Sequence, residues 1–369
     1  MDVWAAAAER ARTHGDVLVL AAGQPSTPAP APVLAAARAA LTEQTLGYTV
    51  TPGIPPLREA IASYHRRAGL DVVAEDVVVT TGSSGAFTLL FLAAFDPGDT
   101  VAMARPGYPA YRNALRALGC EVLELDCGAD TRFQPTVAML DALPTPPRGL
   151  IVASPANPTG TILAADELAA LARWCDAHGT LLISDEIYHG ISYGPETASA
   201  WATSQQSVVM GSVSKYFSMT GWRLGWMLVP VALRAAVHRL ASNLTICPPA
   251  LAQHAAVAAF TDASYAELDM HVHRYRRNRD LLLEGLPALG LTDLAPADGA
   301  FYVYADVAHR TDDATAWCAA LLAETGVAIA PGVDFDTVAG HHTVRLSFAG
   351  ATHEIEQALT RLATSALVR

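Results

Sequence analysis

Between about residues 75 and 230 the chain alternates short apolar, β-branched-rich runs with stretches rich in Ala and Leu. The apolar runs are Val77–Thr80, Thr100–Met103, Glu121–Leu125, Leu150–Ala153, Leu181–Ser184, Val208–Gly211 and Trp226–Val229. Each has the length of a strand, and their largely apolar character suits strands covered on both faces. The segments Gly85–Phe95, Ala110–Leu118 and Ala164–His178 between the earlier runs read as helices. This alternation predicts an α/β domain built on a mostly parallel, seven-stranded sheet with helices on both sides. Ligand groups then collect beyond the strand ends.

After Pro230 a helical stretch leads to Cys247-Pro248-Pro249, and a further Ala-rich helix runs toward Asp262. The pattern then changes. A long helix around Tyr265–Leu286 precedes strands near Ala300–Val307, Val327–Ala330 and Thr343–Phe348, with helices at Asp313–Thr325 and His353–Leu367. That is the layout of a smaller α+β domain. The expected division is an N-terminal segment over 1–30, a large domain over 31–262 and a small C-terminal domain over 263–369. Upstream, the prolines of Gly23-Gln24-Pro25-Ser26-Thr27-Pro28-Ala29-Pro30-Ala31-Pro32 exclude a helix interior. The stretch is either a passive linker or a rigid segment presenting backbone groups.

Length and composition agree with two domains: 369 residues exceed the usual single core, and 51% hydrophobic against 16% charged residues suits extensive burial, a subunit interface included. No apolar run of membrane-spanning length is free of Pro, Gly or charge, and Met1 to Arg12 lacks the order of a secretory leader. The expectation is a soluble, cytoplasmic protein. A formal charge of −12 opposes nonspecific attraction to nucleic acid. The densest basic cluster, Arg274-Tyr275-Arg276-Arg277-Asn278-Arg279, is expected to be a solvated helix face paired with acids. Five scattered cysteines, Cys120, Cys127, Cys175, Cys247 and Cys318, have no metal-ligand spacing and read as buried thiols, so no metal site is expected.

One residue type is unusual. The chain holds a single lysine, Lys215, against 23 arginines. Arginine keeps its proton, whereas a lysine amine can be deprotonated by burial or neighbouring charge and can form an imine with a carbonyl. Lys215 is therefore expected to do chemistry that arginine cannot. Other polar elements follow successive strands: Thr80-Thr81-Gly82-Ser83-Ser84-Gly85-Ala86 opens a helix, Ser154-Pro155-Ala156-Asn157-Pro158-Thr159-Gly160 follows an apolar run, and Asp185-Glu186-Ile187-Tyr188 ends another. The first is either an anion-binding helix start or a capped turn; without a Gly-Lys-Ser/Thr ending it is not a nucleotide phosphate loop. Each is weak alone, and their joint placement beyond one sheet is the signal.

In these motifs the sequence resembles the class I/II aminotransferases, pyridoxal 5′-phosphate enzymes of fold type I. The run Ser212-Val213-Ser214-Lys215-Tyr216-Phe217-Ser218-Met219-Thr220-Gly221-Trp222-Arg223-Leu224-Gly225 matches that family's lysine signature. Supporting motifs occur in family order: Leu20 to Pro25, Tyr48 before Gly53, Gly82-Ser83-Ser84, Pro106 to Tyr111, Asn157 to Gly160, Asp185 with Tyr188, and Val344 to Ala349. The resemblance implies that Lys215 holds the cofactor as an internal aldimine and shuttles the substrate Cα proton. It implies that Asp185 faces the pyridine nitrogen, that Asn157 and Tyr188 bind the phenolic oxygen, and that Tyr108 lies against the ring. Ser83, Ser84, Ser212, Arg223 and, from a second subunit, Tyr48 would grip the phosphate, so a homodimer is implied. Arg345 would pair with the substrate α-carboxylate, with Gly23 and Asn157 beside it.

The implied activity is amino transfer from an α-amino acid to a 2-oxo acid in two half-reactions. A β-eliminating lyase, decarboxylase or oxidase on the same scaffold is the catalytic alternative, and a cofactor-binding regulatory module the non-enzymatic one. Ser84 stands where some aspartate-using relatives carry a lysine, which points away from an aspartate enzyme. Arg105 and Arg112, flanking the Tyr108 loop, are the remaining candidates for binding a distal carboxylate. The expected donor is a neutral or aromatic amino acid, with 2-oxoglutarate or pyruvate as acceptor.

Overall fold

Residues 3–368 are described by the computed structural model. A short strand, β1 (Leu18–Val19), precedes seven that form one sheet: β2 (Val77–Thr80), β3 (Thr100–Arg105), β4 (Glu121–Asp126), β5 (Gly149–Ala153), β6 (Leu181–Asp185), β7 (Val208–Ser212) and β8 (Gly225–Leu228). Their order is β2-β8-β7-β6-β5-β3-β4. All pairings from β7 through β4 are parallel, and β8 runs antiparallel to both β7 and β2. Each predicted apolar run is thus a strand of the mostly parallel sheet.

Successive side chains leave a strand on opposite faces. Leu182 and Val209 accordingly join one apolar cluster, with Val152 and Trp226, while Ile183 and Met210 join another, with Phe87 and Phe91. Both faces of β5, β6 and β7 are dry, which is why those runs carry no polar alternation, whereas the edge strand β4 keeps Glu121 and Asp126 exposed. The helix predicted from Gly85 begins at Gly82, whose φ of +70° turns the chain out of β2, and so takes Ser83 and Ser84 into its first turn.

The C-terminal part adds β9 (Tyr302–Asp306), β10 (Val327–Ala328), β11 (Ala330–Pro331) and β12 (Thr343–Ser347). The antiparallel order is β11-β12-β9, and helices Asp262–Ala288, Ala314–Thr325 and Thr352–Thr364 accompany it. The run expected as one strand, Val327–Ala330, is two: β10 pairs parallel with β1, and after Ile329 β11 pairs antiparallel with β12. The apolar pattern is continuous because all these residues are buried, and it does not record the change of partner.

The proline-bearing stretch is a rigid segment. Ser26 N–H donates to Ala349 O at 3.2 Å, Thr27 Oγ1 meets Ser218 Oγ at 2.9 Å, and the next helix, Ala31–Glu43, starts directly after Pro30. Before it, an unanticipated helix, Val3–His14, buries Val3 and Ala7 against Leu322, Ala328 and Phe335. The arginine cluster departs from expectation. Arg274, Arg276 and Arg279 reach the carbonyls of Ala349, Tyr193 and Ala297, stapling the long helix to its surroundings; Arg277 and Arg279 alone of the four meet carboxylates, Glu356 and Asp280. Four cysteines are buried and Cys247 is half-buried. Among the described residues no helix is long and apolar enough to cross a membrane.

Gln253, fully buried, ties down the segment that carries Tyr48. Its Oε1 accepts from Ile54 N–H, and its Nε2 donates to Thr49 Oγ1 and Pro248 O, each at 2.9 Å. Gln253→Leu leaves these groups unpaired in a dry site and is expected to lower unfolding free energy by about 2–3 kcal/mol, read from urea denaturation.

Candidate active site

The parallel strands deliver their C-terminal ends to one edge of the sheet. β6 ends on Asp185, β5 leads into Ser154-Pro155 and β7 into Val213-Ser214-Lys215, while the helix starting at Gly82 faces them. β12 adds Arg345 and the rigid N-terminal segment adds Gly23. Together they line a cavity of about 390 Å³. Its charged lining residues are Lys215, Arg223, Arg345 and Asp185, three cations around one carboxylate in a chain of net charge −12.

Lys215 Nζ donates to Gly23 O at 2.7 Å. Burial and then the Arg345 charge lower its pKa to about 8, against the opposing pull of Asp185. Roughly a tenth of the amine is then neutral at pH 7, far more than for an exposed lysine. Asp185 is buried, and its carboxylate accepts from the Tyr111 hydroxyl and, at 3.2 Å, from Ile187 N–H. Burial raises its pKa to about 6, although the Tyr111 bond works the other way.

Arg345, buried in β12, is sandwiched between the rings of Tyr302 and Phe335, at 4.4 and 4.6 Å from their centroids. Its two terminal nitrogens donate to Asn157 Oδ1 at 2.9 Å and Ala21 O at 2.7 Å. Nε has no partner among the described residues. Arg223 is held with φ +54°, unusual for a residue with a side chain, and donates to Thr220 O at 3.0 Å. Its guanidinium lies where a Cβ on Gly82 would be, so glycine there lets the cation approach the helix start. A helix N-terminus with an adjacent guanidinium is a site for a dianion.

Of the residues expected at the site, Gly23, Ser83, Ser84, Tyr108, Asn157, Asp185, Tyr188, Lys215, Arg223 and Arg345 all line this cavity. Two do not. Ser212 stands behind the wall: its Oγ accepts from Ser214 N–H at 3.1 Å and donates to Leu224 O at 3.4 Å, and Ser214 lines the cavity instead. Tyr48 is 85% exposed on the surface of this chain. Arg105 and Arg112, the candidate distal cations, are also outside the cavity. Arg105 pairs with Asp126 at 2.6 Å, and Arg112 donates to Asp334 O at 3.0 Å.

Tyr111, Tyr302 and Trp4 line the cavity without having been singled out. Tyr111 had a signal, since it follows Tyr108 by three residues and so shares a face of the helix start. Tyr302 stands in an alternating strand among other aromatics, and nothing local distinguishes it. Trp4 reaches the cavity only through tertiary packing of the first helix.

The chain belongs to the family described as Aminotransferase class I and II, which it matches over residues 15–362, and it is an aminotransferase of the α/β, fold type I architecture. Its relatives narrow the comparison. It is 61% identical to the valine–pyruvate aminotransferase of Mycobacterium tuberculosis over 365 residues, spanning 98% of this chain and 94% of the relative. It is 39% identical to the aspartate/prephenate aminotransferase of Thermus thermophilus over 364 residues, or 97% and 93%. A crystal structure of an aminotransferase from Mycobacterium tuberculosis superposes with a TM-score of 0.97 at 60% identity, covering 99% of this chain and 95% of that one. Aspartate aminotransferase of Thermus thermophilus with maleate gives 0.92 at 38% identity, over 98% and 94%.

A half-buried amine with a lowered pKa burdens the fold. Below about pH 8 the folded chain carries this charge at a cost the unfolded chain does not bear, and between about 8 and 10.5 the folded state binds fewer protons, so stability rises with pH. Lys215→Met is therefore expected to stabilise the ligand-free protein at pH 7 by about 1–3 kcal/mol, the advantage shrinking toward pH 10.5. Chemical denaturation at a series of pH values measures it.

Proposed function

We propose that this aminotransferase holds pyridoxal 5′-phosphate on Lys215 and moves amino groups from neutral, mainly apolar α-amino acids to a small 2-oxo acid such as pyruvate. The charge layout of the cavity carries the cofactor reading. A phosphate dianion suits Arg223 and the helix start at Ser83 and Ser84; a basic ring nitrogen suits the buried Asp185; a carbonyl suits Lys215, a lysine whose amine is partly neutral. The cavity volume, about 390 Å³, lies within the range of cofactor sites. Pyridoxal phosphate, when bound, supplies the carbonyl that takes the amino group and the conjugated ring that accepts electrons from the substrate Cα.

The chain's residues then divide the remaining tasks. The Ser83 and Ser84 amides or hydroxyls and Arg223 hold the phosphate, Ser212 steadies this wall through the Ser214 amide, and Tyr48 of a second copy completes the grip in a homodimer. Asp185 keeps the ring nitrogen protonated. Asn157 and Tyr188 donate to the phenolic oxygen, and the Tyr108 ring limits tilt. Arg345 binds the substrate carboxylate beside Gly23 and Asn157, a role that suits its unpartnered buried Nε. The Lys215 amine would be the group that takes the proton from the substrate Cα.

The donor class follows from what else lines the cavity. Ala21, Phe87, Ala110, Ala114, Ile187 and Trp4 are apolar, and among the described residues the lining has no cation beyond the three already assigned. With Arg105 and Arg112 committed elsewhere, a distal carboxylate entering this chain's cavity would be buried without a partner, at a cost of several kcal/mol. The valine–pyruvate relative supports the same choice.

Holoenzyme mixed with single amino acids and no acceptor tests the reading. The expected result is one equivalent of 2-oxo acid from valine or leucine, with kcat/KM at least about a hundredfold above that for aspartate. Catalytic ammonia release or an equal rate with aspartate overturns it. Asp185→Asn is expected to retain the cofactor absorbance while kcat falls roughly 100- to 1000-fold, because the electron sink loses its charged ring.

A further inference from the structure

Tyr302 opens β9 and is 1% exposed. Three of the proposed site residues meet on it. Its Oη lies 2.7 Å from that of Tyr188, its ring face carries the Arg345 guanidinium, and its hydroxyl fills the space that a Cβ on residue 23 would need. Glycine at 23 is thus required by this hydroxyl.

Buried hydroxyls must be paired, and here each phenol's partner is another phenol. Such a pair has two protons, of which one lies between the oxygens and the other points away. When Tyr302 donates, the Tyr188 proton is the one free to leave the pair. An anionic oxygen beside Tyr188 selects that arrangement, because a proton aimed at an anion is worth about twice a neutral contact. Burial raises both phenols above their ordinary pKa, so both keep their protons; the charges around them are Arg345 from β12, Asp185 at the end of β6, and Lys215, whose Nζ lies 5.7 Å from the Tyr188 ring centroid.

We infer that Tyr302 is a positioning residue: it donates to Tyr188 Oη, turning and strengthening the Tyr188 O–H toward an oxyanion in the cavity, while its ring seats Arg345. Hydrogen bonds in series polarise one another, so the second phenol makes the first a better donor. The guanidinium on the ring face draws on the same π-system and makes the Tyr302 O–H more acidic. Tyr302 thereby links the group that would hold the cofactor's phenolic oxygen to the group that would hold the substrate carboxylate. This rests on the reading of Tyr188 given above.

The test titrates the visible absorbance of the pyridoxal phosphate-loaded protein against pH, for the parent, Tyr188→Phe, Tyr302→Phe and the double variant. The phenolic oxygen carries its full negative charge once the neighbouring nitrogen has lost its proton, so weaker donation there moves the midpoint upward. Tyr302→Phe keeps the ring beneath Arg345 and removes the hydroxyl alone. It is expected to raise the midpoint by about half a unit, a threefold change in proton affinity. Tyr188→Phe should raise it further, and adding Tyr302→Phe to Tyr188→Phe should move it no more. Gly23→Ala, which crowds the hydroxyl from the other side, should give the same direction of shift.

An unshifted Tyr302→Phe midpoint overturns the inference, as does an equal shift with and without Tyr188, since a merely structural role does not depend on that hydroxyl. A parent without a pH-dependent band, or a Tyr188→Phe variant whose midpoint does not move, overturns the underlying reading instead.

Discussion

Like charges resist being brought together, and the site of this aminotransferase gathers three cations, a buried Arg345, a half-buried Lys215 and an exposed Arg223, around the buried carboxylate of Asp185 at the edge of a dry sheet. Everything nearby manages that repulsion. Arg345 is clamped between two aromatic faces and two acceptors, Arg223 is bent into a left-handed backbone against a helix start, and Lys215 rests on a single backbone carbonyl. Such a constellation is maintained by rigid elements, which explains why its members come from strand ends, a helix start and a proline-stiffened segment rather than from long loops. It also explains why an anionic ligand is the natural complement of the cavity.

The two apolar clusters on either side of the sheet supply the stiffness. Because β5, β6 and β7 are buried on both faces, their register is strongly determined, and with it the positions of Asp185 and of the chain leading to Lys215. Glycines sit where backbone must approach backbone: a Cβ on Gly225 would meet Ser83 N at 2.7 Å, so the start of β8 and the helix start can touch only because that residue has none.

Much of this was legible in the chain. The central strands were marked by apolar runs because burial on both faces leaves a local compositional trace, and the lysine stood out because it had no equivalents. Ten of the expected site residues line one cavity because the motifs that carry them follow strand ends. What local sequence does not encode is pairing across distance. The break at Ile329 was hidden because a residue's apolar character is the same whichever strand it pairs with, and the arginines of the long helix gave no sign that their partners would be carbonyls more than capping acids. Ser212 differs from Ser214 only in which side of the turn it faces. Tyr302 acquires its meaning from Tyr188, Arg345 and Gly23, which lie 114, 43 and 279 positions away along the chain.

The solitary lysine has a consequence outside catalysis. Since every other surface cation is a guanidinium, the chain offers amine-directed reagents one ε-amino group, and that group lies in the cavity with its nitrogen against Gly23 O. Apart from the amino terminus, acylation of this protein is a stoichiometric report on one atom. A mass shift of a single adduct therefore counts open sites, its absence counts protected ones, and the protein carries its own occupancy gauge without any label being introduced.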